Sequence, residues 1–407
     1  MSTPEPSKGL PGPNPHSSVD TSCWWRYPNL RALNLLMIIP LLSIFSQGFD
    51  GSMMNGLQSV THWQTYFGSP TGALLGFFNA AYPLGGILGS FAISPVADTL
   101  GRRCGIAFGA ALCCVGAAIQ GASVNIAMFI ISRVIIGSGS VVVAGVGAPY
   151  ITEIKQTSSA EVSDHNMFTF LKDLGSTAGN RRRMFIMVWA AISSQMSGNA
   201  FVSYYLSPIL YSVGLKSDLQ QTLINATNQM LSWFTAIYFA TLLAKVGRRK
   251  LFLWSLAAIW VVDICITAGS AVFAKDNTNK AAAYTVVAFL YLFSPAYNLG
   301  FNGNLGLYIP EILPYRMRTK GLSFFYFVQF CFMMLSTFTV PIGLDDITWR
   351  FYIIFVGWVM IELVGPPLEE IAYIFDGPQS VVGQAAEVMV EGKTQGLVEH
   401  VASKEAV

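Results

Sequence analysis

Charge is the scarcest commodity in this 407-residue chain: 11% of its residues are charged and 53% are hydrophobic, against about 25% charged in ordinary soluble domains. A water-facing surface cannot be covered from that stock, so a soluble globular domain is excluded and the chain belongs in lipid. The formal net charge of +2 leaves no strongly basic surface, and no nucleic-acid partner is expected. Histidine and cysteine are also few. His16, His62, His165 and His400 lie in polar stretches, and of the cysteines only Cys23 stands clear of the apolar runs that hold Cys104, Cys113, Cys114, Cys265 and Cys331. None of these has metal-ligand spacing, so no metal, no cofactor and no catalytic set are expected, and an enzyme is not expected either. The first 30 residues lack the apolar core of a cleaved leader. They read, like residues 377–407, as a disordered cytosolic tail.

What the chain does have is about ten apolar runs, at residues 32–49, 72–95, 104–123, 126–148, 184–211, 224–244, 251–273, 281–303, 322–344 and 351–364. About 20 such residues cross a bilayer as a helix, and only the last run is short of that length. Basic residues gather in every second loop: Arg102 and Arg103, then Lys155, Lys172 and Arg181 to Arg183, then Lys245 and Arg248 to Lys250, then Arg316, Arg318 and Lys320. Positive loops stay on the cytosolic side, which places both termini there.

Two signatures occur twice in the same order. Gly-Arg-Arg stands at Gly101 and again at Gly247, and Tyr-x-x-Glu-Ile follows at Tyr150, Glu153, Ile154 and at Tyr308, Glu311, Ile312. The chain reads as an internal duplication, the architecture of many secondary transporters, which hold substrate near the midplane between the halves. After the second Tyr-x-x-Glu-Ile two more spans follow, whereas after the first the chain enters a polar stretch. The expected organisation is an all-α membrane protein: a first bundle of four spans over residues 31–153, a cytosolic linker over 154–183, and a second bundle of six over 184–376. In the linker, Met167, Phe168, Phe170 and Leu171 form either a short interfacial helix or part of a solvated connection.

Three groups of residues could carry chemistry. Asp50 and Arg133 are an acid at the end of one apolar run and a base inside another, a costly placement unless they face each other or a wet cavity. Gln195, Asn199, Tyr204 and Tyr205 put amides and phenols on one helix, with Gln195 and Asn199 sharing a face, and Asn228, Asn302 and Asn304 add amides on two further spans. Neutral donors and acceptors beside flat apolar rings suit a polyhydroxylated solute, although buried amides also glue helices together. Arg102, Arg103, Glu153, Arg248, Arg249, Glu311, Arg316 and Arg318 lie at the cytosolic ends, where acids beside arginines can latch two halves together. Anchoring of topology by positive charge is the other reading of those arginines.

The ordered set of motifs resembles a known family. Its carriers are Gly48-Phe49-Asp50, Asp98-x-x-Gly-Arg-Arg, Arg133 with Gly137 and Gly139, Tyr150 with Glu153, Gln195-x-x-Gly198-Asn199 with Tyr204 and Tyr205, the second Gly-Arg-Arg, and Pro310-Glu311-Ile312-x-Pro314-x-x-x-Arg318-x-Lys320-Gly321. Together they resemble the sugar porter family of the major facilitator superfamily, in particular its fungal lactose permease and hexose transporter-like members. The resemblance implies a major facilitator-type bundle and a small-molecule sugar (hexose, pentose or disaccharide) moved by alternating access. It also implies a proton as the coupled ion, with Asp50 and Arg133 as the coupling pair. A monomer in the plasma membrane is expected, with lipid as its other partner. Two helices of the family's first half are absent, giving about ten spans (4+6) in place of twelve, and Ala244 replaces the acid before the second Gly-Arg-Arg. A non-transporting truncated isoform or a sugar sensor of the same fold is therefore the alternative.

Overall fold

The computed structural model describes residues 48, 53–155, 178–200, 205–212, 217–243, 246, 248–276, 279–302, 304–313 and 318–364. Asp50, Tyr204, Arg316, the first apolar run apart from Gly48, and residues 156–177 of the linker, with Met167, Phe168, Phe170 and Leu171, lie outside the described residues. Among the described residues the structure is wholly helical. An apolar chain in lipid must satisfy its backbone polar groups within itself, and a helix does so locally.

In chain order the helices are α1 (Thr61–Tyr66), α2 (Gly72–Thr99), α3 (Gly101–Gly121), α4 (Ile126–Lys155), α5 (Ala178–Met196), α6 (Leu206–Ser212), α7 (Asp218–Leu243), α8 (Arg248–Lys275), α9 (Lys280–Tyr297), α10 (Asn304–Ile312), α11 (Arg318–Ile347) and α12 (Tyr352–Val364). Six helical segments among the described residues are long and apolar enough to cross a membrane: Gly72–Thr99, Gly101–Gly121, Ile126–Gly147, Lys250–Lys275, Lys280–Gly306 and Thr319–Val364. Two apolar runs that read as unbroken in sequence are interrupted. The run at 184–211 breaks after Met196, where Gly198 takes φ 89°, a left-handed conformation that glycine adopts without steric cost. The run at 281–303 passes from α9 into a π-helical turn at Asn298–Asn302, three residues after Pro295, which cannot donate a backbone hydrogen bond.

Helix directions follow from the close contacts. A Cβ placed on Gly85 would lie 2.0 Å from the Val134 carbonyl oxygen, one on Gly89 would lie 2.5 Å from that of Ser138, and Ile93 touches Gly145, so α2 and α4 run parallel. Only a hydrogen fits at Gly85, and small residues let helix backbones approach this closely in lipid. Between α3 and α4 the order reverses: Gly105 meets Val146 while Gly116 meets Ile136. The two bundles join chiefly through α2 and α11, where Gly86 packs on the Phe330 ring and Gly76 on Phe338 and Pro341. Those contacts make α2 and α11 antiparallel. Arg102 and Arg103 thus stand in the first turn of α3, and Arg248 and Arg249 in the first turn of α8, at one common end of the molecule. The Glu153 and Glu311 positions close α4 and α10 at that same end.

Candidate functional site

Inside the second bundle, buried Ser194 on α5 is a polar hub. Its hydroxyl accepts from Gln195 Nε2 at 3.2 Å and from Gln329 Nε2 on α11 at 3.4 Å, and its carbonyl accepts from the Tyr297 hydroxyl on α9 at 2.9 Å. Tyr297 stacks between Phe293 and Phe301, at 6.2 and 5.3 Å between ring centroids. Amides, hydroxyls and flat rings from three helices therefore meet at one place. The sequence pointed to Gln195 here; Ser194, Tyr297 and Gln329 carried no motif, and only the packing of α5, α9 and α11 brings them together.

The other predicted solute contacts are dispersed. Asn199 is half-buried one residue after the Gly198 turn. Tyr205 is buried and donates its hydroxyl to the Thr337 carbonyl. Asn228 on α7 accepts from the Ser294 hydroxyl at 3.1 Å. Exposed Asn302 donates to Asn298 Oδ1 at 2.8 Å, and Asn298 donates to the Ser232 carbonyl at 2.8 Å. Asn304 is 2% exposed, and neither of its amide atoms has a hydrogen-bond partner among the described residues.

Arg133 on α4 is 1% exposed, with its guanidinium carbon 5.7 Å from the centroid of the Tyr82 ring on α2. Such a cation–π contact offsets part of the cost of removing the charge from water. At the arginine-bearing end, Arg102 turns back on its own bundle: it donates to the Ala97 carbonyl at 2.8 Å and pairs with Asp98 at 3.6 Å. Arg103 is exposed. Glu153, Arg248, Arg249, Glu311 and Arg318 stand on helices there, and their side chains lie outside the described residues.

At the opposite end the halves meet through a polar row that no motif announced. Asn55 Nδ2 donates to Asn225 Oδ1 at 3.3 Å, the hydroxyls of Ser59 and Thr222 are 3.1 Å apart, and Thr61 donates its backbone N–H to Asp218 at 3.2 Å and its hydroxyl to the same oxygen. Residues 218, 222 and 225 repeat at the spacing of one face of α7. Beneath this row lies a cavity of about 860 Å³ between the halves, walled by Gln58, Trp63, Tyr205, Gln221, Asp345 and Trp349 among others. Trp63 is held by an aromatic cluster with Phe67, Phe78 and Phe129 at centroid separations of 5.3 to 6.1 Å. Of the predicted solute contacts, Tyr205 lines this cavity.

The Thr61 hydrogen bonds hold the Asp218 carboxyl below the usual carboxylate range. A lowered value in the joined state means that the contact stabilises closure above the ordinary carboxylate pKa and is lost as pH falls through the lowered one. Hydrogen exchange over residues 60–66, corrected for intrinsic rate, is expected to be faster at pH 3 than at pH 7. Thr61→Ala should produce the same increase at pH 7, and unchanged exchange in that variant would remove the contact from the closure.

The model of the sugar (and other) transporter family matches residues 36–154 and again 146–375, which together take in most of the chain. The chain belongs to this sugar transporter family. Among relatives of this chain, the MFS-type transporter oryC of Aspergillus oryzae is 31% identical over 182 residues, 44% of this chain and 34% of that protein. Myo-inositol transporter 2 of Schizosaccharomyces pombe is 29% identical over 164 residues, 39% of this chain and 28% of that protein. The matched segments thus span about a third of these relatives' lengths. Among solved structures, the partially occluded, inward-open xylose transporter XylE from E. coli superimposes with a TM-score of 0.63 at 14% identity, covering 83% of this chain and 98% of that one. The fold is that of the major facilitator superfamily, and this transporter-family chain is a multi-pass membrane protein.

Proposed function

We propose that this chain carries a sugar or related polyol across the plasma membrane by alternating access, coupled to a proton. The observation that carries the reading is the meeting of Gln195, Ser194, Gln329 and Tyr297 inside the second bundle, a set of uncharged donors and acceptors beside stacked rings that matches the hydroxyls and faces of a sugar. Buried Arg133 supports proton coupling with Asp50, because an intramembrane ionisable group marks an ion or proton path. The alternation of basic loops supports a cytosolic arginine-bearing end, with both termini on that side and the cavity facing outward. On this reading the polar row from Asn55 to Asp218 is the outer closure, and the residues at the cytosolic ends form the inner one.

The test is an uptake panel of radiolabelled hexoses, pentoses, disaccharides and polyols in transporter-null yeast, with and without a protonophore. Saturable uptake of at least one solute, abolished by the protonophore, is expected; uptake insensitive to it removes the proton. Gln329→Ala should raise KM about tenfold, the value of one hydrogen bond of about 1.4 kcal/mol, and an unchanged KM would take Gln329 out of the solute site.

A second reading has its own support. The family matches in two pieces that meet at residues 146–154, the place where the first Tyr-x-x-Glu-Ile runs into the polar stretch and where two spans are missing relative to the second half. A ten-span chain shortened there is a non-transporting form if it reaches the cell surface and moves none of the panel.

A further inference from the structure

Behind the Ser194 hub stands an acid that the solute site does not use. Glu362 is the one charged residue of α12, and it is 6% exposed. Its Oε1 accepts a hydrogen bond from the Trp358 indole N–H, one turn earlier on the same helix, and Trp358 stacks on Trp189 of α5 at 6.1 Å between ring centroids. Its Oε2 has no hydrogen-bond partner among the described residues; the Ser193 hydroxyl of α5 borders the carboxyl without completing that bond. The Tyr297 hydroxyl of α9 is near enough to feel the charge. Ser193 precedes Ser194 in the chain, and Tyr297 donates to the Ser194 carbonyl at 2.9 Å. Glu362 is therefore joined to the hub through two residues. No cation pairs with it among the described residues. It packs among α5, α8 and the turn at Thr348–Phe351. On α5, Arg181, Arg182 and Arg183 lie about ten residues or more before Ser193, roughly 15 Å along the helix. On α8 the basic residues are at the ends, Arg248 to Lys250 and Lys275, with Asp263 and Cys265 between them. Arg350 precedes α12, roughly 18 Å along the axis from Glu362. The other titratable groups there are Tyr352 on α12 and Lys280, Tyr284, Tyr291 and Tyr297 on α9. A carboxylate taken out of water with no counter-charge gives way to the neutral acid.

We propose that Glu362 is a proton-binding site of the second bundle, and that the proton on it holds the Ser194 hub in the arrangement described above. The step is the reversible passage of one proton between water and the carboxyl, with no other bond made or broken. Neutral, the carboxyl leaves the Tyr297 hydroxyl on the Ser194 carbonyl. Ionised, it draws the Ser193 and Tyr297 hydroxyls toward itself, because a charged acceptor is the stronger one, and the hub loses a support. Proton and solute then favour one another, each by the same factor. This site is separate from Asp50 and Arg133, which belong to the first bundle. Its link to the solute rests on the sugar-carrier reading; the proton site itself does not.

The experiment compares infrared spectra of the full chain in sealed lipid vesicles, parent against Glu362→Gln, from about pH 5.5 to about pH 9. In the parent-minus-variant difference the other buried acid, Asp263 on α8, cancels. A protonated-carboxyl C=O band is expected at the acid end, falling at least about tenfold at the alkaline end. Glu362→Asp, which keeps an acid on a shorter stem, gives a titrating band at a shifted frequency and supplies the assignment should the glutamine variant not fold. In the same vesicles the parent KM for D-glucose should rise at least about threefold from the acid to the alkaline end, whereas Glu362→Gln should hold the acid-side value throughout. A band absent at every pH, or present and unmoved at every pH, overturns the proton site. A titrating band with parallel KM profiles for parent and Glu362→Gln overturns the link to the hub. No D-glucose uptake beside a titrating band defeats the carrier reading for this sugar and leaves the proton site standing.

Discussion

Replacing Gly85 with leucine is expected to leave almost no monodisperse protein after detergent extraction. The Cβ alone would lie 2.0 Å from the Val134 carbonyl oxygen and 2.8 Å from the Val134 carbonyl carbon. These are backbone atoms of a neighbouring helix, so no rotamer change relieves the clash; α2 and α4 must separate along their length. Overpacking of this kind costs about 3 kcal/mol, and separation also disturbs the Gly137 contact with the Tyr82 carbonyl and Gly89 against Ser138. Gly121 is the control, since a Cβ there meets nothing within 4 Å. The check is size-exclusion profile and melting temperature for Gly85→Leu, Gly121→Leu and the parent. A Gly85→Leu protein that melts within a degree or two of the parent would show that the α2–α4 crossing is looser than the contacts state.

Removing the charge of Arg133 is expected to abolish uptake while leaving a folded protein. A positive charge at 1% exposure on an apolar helix is expensive, and methionine of similar bulk relieves that expense, while a carboxylate left without the charge takes up a proton and becomes neutral. The variant should therefore still fold and reach the surface, whereas uptake falls about 100-fold, on the order of 3 kcal/mol. The split between the two readouts separates coupling from scaffolding. Arg133→Met with uptake within threefold of the parent, at matched surface expression, would remove Arg133 from the transport cycle. Arg133→Lys keeps the charge but gives up the planar group that lies beside Tyr82, and should fall between the two.

Much of the architecture was legible because lipid imposes a simple code. The described parts of the apolar runs are helical apart from the break at Gly198, and Arg102, Arg103, Arg248 and Arg249 stand in the first turns of α3 and α8 at one end of the molecule, because backbone satisfaction and charge exclusion are local rules. The broken run at 184–211 shows where that code stops. Its hydrophobicity is continuous, and the interruption depends on the φ of Gly198, which composition does not report. The candidate site was legible in part for the same reason. Gln195 stood out as an amide in an apolar helix, but Gln329 lies 134 positions further on in an ordinary-looking run and joins the site only through Ser194.

By itself, the sequence determined that this chain spans a membrane, that its motifs repeat, and that it belongs among sugar transporter-like chains, because those conclusions need only composition, spacing and order. The tertiary structure alone decided which side chains meet. The Ser59–Thr222 and Thr61–Asp218 contacts, the Ser194 hub and the cavity all join residues from helices far apart in the chain. Such meetings are set by how closely glycine-bearing helices approach and at what register they cross, a property of the packed bundle and not of any one segment.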